Sequence, residues 1–229
     1  MKLLPRVFIA LTIAALAFAY YQARYVAPTE QTMGDVQRIF YYHVPSAWTA
    51  FLLFFANFIA SIVYLAKRNP AADAIAAATA EVGVVFCTVV LITGPIWARP
   101  VWGIWWTWDA RLTTTLVLWL IYVSYLVLRR YSVGTQTSVL AAALAIFGFV
   151  DVPIVYMTIR WFRTQHPSPV IGGGESSGLD PTMAHALLWN WLAFSMLAII
   201  LVTARVRLQK LEQDVEERHA QAALQGAEQ

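Results

Sequence analysis

The sequence predicts an all-α integral membrane protein, a bundle of six transmembrane helices with an amphipathic, tryptophan-rich segment in the second outward loop. Three observations carry that prediction. Of the 229 residues, 59% are hydrophobic and only 13% charged, about half the charged share of a typical water-soluble chain. Six apolar runs approach the length of roughly 20 residues that crosses a bilayer. The basic residues sit at or beyond the ends of these runs.

The runs lie at 7–24, 46–66, 78–96, 112–128, 139–156 and 184–204. The first contains Ala17-Phe18-Ala19, which resembles a cleavage site; cut or uncut, the loop that follows is outward. The third carries Glu81 near its start and Gly94-Pro95 at its end, and the fifth carries Asp151 and Pro153 near its end. One side holds Lys2, Arg6, Lys67, Arg68, Arg129, Arg130, Arg205, Arg207 and Lys210; the other holds Arg24, Arg38, Arg99, Arg111, Arg160 and Arg163. The richer side is cytoplasmic by the positive-inside rule, which puts both termini in the cytoplasm. The outward loops, 25–45, 97–111 and 157–183, are longer than the inward ones, 67–77 and 129–138. Long loops carry function. The last of them contains Gly172-Gly173-Gly174, read as a hinge. Residues 1–210 form the membrane domain and 211–229 a polar cytoplasmic tail, read as a frayed helix with His219 a solvated bystander. The single cysteine, Cys87, lies in an apolar run and excludes a disulfide framework or a cysteine-rich metal site. Without a phosphate-binding loop, any ATPase must be a separate chain.

Ten tryptophans are an excess, and four of them crowd into Trp102-Gly103-Ile104-Trp105-Trp106-Thr107-Trp108-Asp109. If this stretch is helical, Trp102, Trp105, Trp106 and Asp109 share one face and Trp108 points elsewhere. Three indoles at a membrane surface make a flat platform suited to stacking on a wide π-system. A porphyrin is such a ligand, with two carboxylates on one edge. Arg99 and Arg111 flank the platform and suit those carboxylates. Asp109 is placed to hold Arg111 or an indole N–H. The alternative is an interfacial helix anchored in lipid headgroups.

Three of the four histidines fall on the outward side. His43 closes the first outward loop in Arg38-Ile39-Phe40-Tyr41-Tyr42-His43-Val44-Pro45, His166 follows the fifth run in Arg160-Trp161-Phe162-Arg163-Thr164-Gln165-His166-Pro167, and His185 starts the sixth. Two imidazoles from opposite sides give haem iron a six-coordinate site. His43 and His166 each follow aromatics and an arginine, and each precedes a proline that ends a helix or fixes a turn. They are read as the pair of axial ligands, and His185 as an interfacial side chain.

These residues resemble the haem exporter protein C family of the cytochrome c maturation system, CcmC, one of the haem-handling families with a tryptophan-rich WWD segment. The matching stretches are 38–45, 93–113 and 151–166, with the pattern complete from Trp102 to Thr113. The resemblance implies haem b bound in transit at the periplasmic surface by His43 and His166, with Trp102, Trp105, Trp106, Trp108, Asp109, Arg38, Arg99 and Arg111 around it. It also implies delivery to a membrane-anchored periplasmic haem chaperone, ABC-type ATPase and permease subunits, and a small single-helix subunit, with no nucleic acid. Independent enzyme activity is not expected beyond assisting covalent attachment of haem to the chaperone. The competing class is a haem-translocating permease subunit of an ABC-type complex. That class needs polar residues along a path through the membrane, for which Glu81 and Asp151 are the candidates.

Overall fold

The computed structural model describes residues 3–132, 136–167, 169–170 and 178–227. The glycine run 172–174 lies outside the described residues. Helix α1 covers Leu3–Tyr21 and continues as a π-helical turn, Gln22–Val26. A 3-10 turn, Asp35–Ile39, leads into α2, Phe40–Lys67. Then come α3, Pro70–Trp102; α4, Ala110–Tyr131; α5, Thr137–Phe149; α6, Asp151–Trp161; and α7, Pro181–Ala227. Helices α5 and α6 form one interrupted span, so among the described residues six spans are long and apolar enough to cross a membrane. Large apolar side chains such as Leu11, Phe55, Ile92, Leu120, Leu140 and Ile199 point out of the bundle, the arrangement expected when the solvent is lipid.

The central pair is α2 and α3. Their connection is two residues, far shorter than the 67–77 loop expected from the sequence. Arg68 adopts a left-handed conformation with φ 51° and its N–H bonds to the Tyr64 carbonyl, closing α2. Asn69 then caps α3, its Oδ1 accepting from Ala71 N at 2.9 Å, and Pro70 fills the first helical position, where no N–H is needed. The facing side of α3 is small: Ala72, Ala76, Ala80 and Gly83 are buried. Small residues let membrane helices approach closely. At Gly83 a Cβ would stand 2.7 Å from Phe54 Cε1. Phe54 cannot easily yield, because it is stacked on Tyr122 of α4 with centroids 3.9 Å apart. The Asn57 amide reaches across to the Ala76 carbonyl at 2.7 Å. Helix α1 lies against α7, where Asn190 donates to the Ala19 carbonyl at 3.2 Å and Phe18 meets Trp189 edge-on at 5.0 Å.

At the end of the bundle that carries Lys67 and Arg129, charges meet one another. Arg129 of α4 holds Asp73 of α3 through two bonds of 2.6 and 2.8 Å. Ser138 of α5 and Gln213 of α7 approach the same carboxylate at 3.1 and 3.5 Å. Glu81 pairs with Arg205 at 2.7 Å. One of the two acids considered for a transmembrane path therefore has a fixed cationic partner; the other, Asp151, has a buried Oδ2 with no hydrogen-bond partner.

Two further sequence expectations need correction. The third span does not stop at Gly94-Pro95: α3 runs through Pro95 and Pro100 to Trp102. Proline is tolerated in membrane helices where neighbouring groups take up the freed carbonyl. His43 does not close a loop either. It lies in the first turns of α2, because helix begins at Phe40 and Pro45 sits inside it. This close to the helix start, a missing N–H removes a single bond, to the Tyr41 carbonyl.

Candidate functional site

The tryptophan end of the bundle is built from α2, α3, α4 and the segment after α6. His43 is only 7% exposed. Its ring lies in a notch on α3: Nδ1 is 2.8 Å from Thr93 Oγ1, and Trp97, one turn further on, meets it edge-on at 6.0 Å. A Cβ added at Gly94 would come within 3.5 Å of His43 Cε1, so a side chain there would border the ring.

His166 lies beyond α6, outside the spans. Its Nδ1 is 2.9 Å from the Pro167 carbonyl. A carbonyl can only accept, so Nδ1 carries the proton and Nε2 the lone pair. The residue is half-buried. Burial, and after it the positive charge of Arg111, push the imidazole down to about 4, so it is neutral near neutral pH and able to act as a Lewis base. The ring centroids of His43 and His166 are 6.4 Å apart, with planes inclined at 34°. The structure thus brings together two histidines that are remote in sequence.

The tryptophan segment is not a helix. Gly103 ends α3 with φ +77°, a left-handed conformation, and its N–H bonds to the Arg99 carbonyl. Asp109 starts α4 as its cap, Oδ1 accepting from Leu112 N at 2.9 Å. Between these two signals the chain has no room to propagate a helix, so the expected shared face of Trp102, Trp105, Trp106 and Asp109 does not form. Trp102, Trp105 and Trp108 are nonetheless exposed, at 39%, 59% and 76%. Trp106 turns inward and meets Trp108 edge-on at 5.8 Å. Trp106 and Trp108, with Leu91 and Leu116, line an open recess of about 340 Å³. The indole N–H groups of Trp97 and Trp106 are buried without a hydrogen-bond partner, as is the Thr113 hydroxyl.

The polar residues are also deployed differently from expectation. Asp109 is no clamp for Arg111: the ion pairs among the described residues are Arg38–Asp35, Arg129–Asp73 and Arg205–Glu81. Besides capping α4, Asp109 accepts from Gln165 N at 3.3 Å. It therefore ties the tryptophan segment to the residue next to His166. Arg111 donates to the Val155 carbonyl of α6 at 3.0 Å, and is near enough to both imidazoles to act on them electrostatically. Arg99 bonds to the Gly103 carbonyl. Arg38 fastens the first loop, donating to the Ala23 carbonyl at 2.5 Å, the Ala27 carbonyl at 3.3 Å, Thr29 Oγ1 at 3.1 Å and Asp35 at 2.9 Å. His185 is exposed on α7, in an open recess of about 540 Å³ with Leu188, Trp189, Trp191, Leu192 and Ser195.

Sequence reasoning missed Thr93 and Asp73. Thr93 is one hydroxyl in an apolar run and carries no signal of its own. Asp73, an acid just inside a span that opens Asn69-Pro70, could have been marked as needing a buried partner.

A family model for heme exporter protein C, CcmC, matches residues 1–221. Heme exporter protein C of Bradyrhizobium diazoefficiens is 36% identical over 208 residues, covering 90% of this chain and 78% of that protein. The protein of the same name from Haemophilus influenzae is 32% identical over 216 residues, covering 93% and 87%. That from Escherichia coli K12 is 32% identical over 182 residues, covering 79% and 73%. With the match running across nearly the whole chain and all six spans, this multi-pass membrane protein belongs to the heme exporter protein C family.

Proposed function

We propose that this protein binds haem b at the periplasmic surface of the bacterial inner membrane. It then delivers the haem to a membrane-anchored periplasmic haem chaperone for c-type cytochrome biogenesis. The observation that carries the reading is the approach of the two imidazoles, 6.4 Å between ring centroids. A metal–imidazole bond of about 2 Å, plus about 1 Å from ring nitrogen to ring centre, separates two axial rings by about 6 Å. His43 and His166 are the axial ligands in this reading. The exposed indoles of Trp102, Trp105 and Trp108, with Trp106 beneath, stack on or border the porphyrin. Arg111, beside both imidazoles, meets a propionate, and Arg38 and Arg99 add positive charge at the same end. Asp109 keeps the tryptophan segment and the His166 segment in register. Bound haem would supply the redox-active iron, and the protein ligation, orientation and exclusion of water. The family name supports haem as cargo, and ABC-type ATPase and permease subunits with a small single-helix subunit complete the proposed assembly.

The test is the absorption spectrum of the purified protein with its copurified haem. His43→Ala and His166→Ala should each open a coordination position, giving high-spin or depleted haem that added imidazole partly restores. His185→Ala should keep the bis-histidine spectrum. Loss in the His185 variant with retention in the His166 variant would overturn the choice of second ligand. Orientation is tested separately. Cysteine at exposed Thr32 should react with an impermeant thiol reagent in spheroplasts, and cysteine at exposed Ser132 should not; the reverse pattern would put the site in the cytoplasm.

A further inference from the structure

The hydroxyl of Thr93 has two neighbours that fix its proton. It donates to the Val89 carbonyl, one turn back on α3, at 2.7 Å, with the Val90 carbonyl more distant at 3.4 Å. A hydroxyl has one proton and two lone pairs. With the proton committed to a carbonyl, only a lone pair is left for His43 Nδ1 at 2.8 Å. The imidazole must then donate: Nδ1 carries its hydrogen and Nε2 its lone pair. Trp97, one turn beyond Thr93 on the same face of α3, meets the ring edge-on at 6.0 Å.

We infer that Thr93 is a positioning residue for His43, fixing the tautomer and the ring angle that present Nε2 to iron and raising the basicity of that nitrogen through the Nδ1–H bond. The inference rests on His43 being an axial ligand. Histidines that bind metals commonly donate their other N–H to such an acceptor, and losing it typically costs tenfold to a hundredfold in affinity. The Val89 carbonyl strengthens the effect, since a hydroxyl that donates is a better acceptor.

The experiment uses the full-length protein, purified with its copurified haem, as wild type, Thr93→Val, Thr93→Ser and His43→Ala. Valine keeps the volume and branching but removes the acceptor, leaving a buried N–H unpaired. Haem retention in Thr93→Val should fall by about tenfold. The midpoint potential should shift upward, because a less basic imidazole stabilises ferric iron less, and the ferric electron paramagnetic resonance signal should broaden or turn partly high-spin. Serine should restore all three. A Thr93→Val protein with wild-type retention, potential and resonance signal would overturn the inference, as would a serine variant as defective as valine. His43→Ala separates this inference from its foundation. If it loses the bis-histidine spectrum while Thr93→Val is unchanged, only the role of Thr93 falls. If it keeps that spectrum, His43 is no ligand and both readings fall together.

Discussion

The two ends of this bundle use polar residues in opposite ways. At the Arg129 end the charges are consumed by each other. Asp73 receives Arg129, Ser138 and Gln213, so one carboxylate binds α4, α5 and α7 to α3. At the tryptophan end, the arginines turn mostly to backbone carbonyls, Arg38 also reaching Asp35 and Thr29, and some buried polar groups have no partner. Arg38, Arg99 and Arg111 all donate to carbonyls, and the N–H groups of Trp97 and Trp106 are buried and unpaired. Unpaired buried donors there lie beside exposed indoles and the two imidazoles, polar capacity that the fold itself leaves unused. Mutual charge pairing describes a surface shaped to stay closed. Polarity in a membrane protein is therefore no guide to function until its partners are known.

The largest expected effect lies at the closed end. Asp73→Ala strands the Arg129 guanidinium, whose side chain is only 15% exposed, and breaking a buried pair from one side costs about 3–5 kcal/mol. Thermal melting in detergent should show a large loss of stability, while the surviving folded fraction keeps the haem spectrum. If that fraction loses its haem spectrum instead, the division of labour between the two ends is wrong.

The next effect, at the other end, should have the reverse signature. Trp105→Ala with Trp106→Ala should weaken haem retention by at least tenfold, each lost aromatic contact being worth on the order of 1 kcal/mol beyond area burial. The protein should still accumulate and melt near the wild-type temperature. Intact retention would reduce the segment to a lipid anchor.

Arg111→Lys sharpens the comparison further. Lysine keeps the charge near the imidazoles but lacks the planar fork that bonds the Val155 carbonyl and suits a carboxylate. Haem retention should fall only partly, by less than in the indole pair. Equal performance of lysine and arginine would assign the position to charge alone.

Gly103→Ala should be the mildest. Nothing crowds a Cβ there, but φ is +77°, and a left-handed residue other than glycine costs about 1–2 kcal/mol. The local remedy is to let α3 run on past Trp102, which displaces Trp105 and Trp108. Circular dichroism should register no loss of helix, and tryptophan fluorescence should change while the melt barely moves.

Much of this was legible in the chain itself. Lipid tolerates no unpaired backbone, so each apolar run had to be a helix. The basic residues outside the runs sort the loops to two sides, the crowd of tryptophans marks one of them, and His43 and His166 stand out as imidazoles on that side. The same pattern misplaced helix ends at Pro95 and His43, because proline is a weaker stop inside a membrane than in water. The shared face of Trp102, Trp105, Trp106 and Asp109 was conditional on a helix, and Gly103 and Asp109, which close the flanking helices, leave none between them.

What only the tertiary structure decided is who faces whom. A helix with lipid on one side and apolar neighbours on the other is free, as far as hydropathy goes, to turn about its own axis. Rotation of α2 against α3 sets whether His43 meets Thr93 or a bare methyl. Rotation of α4 sets whether Arg129 finds Asp73 and whether Arg111 reaches Val155. Those angles are fixed by close packing, through the fit of Phe54 over Gly83 and against Tyr122, and by the few polar bonds that cannot go unmet in hydrocarbon. The sequence determined the spans and the chemistry available at each end; packing decided that two imidazoles remote in sequence would stand 6.4 Å apart, centroid to centroid.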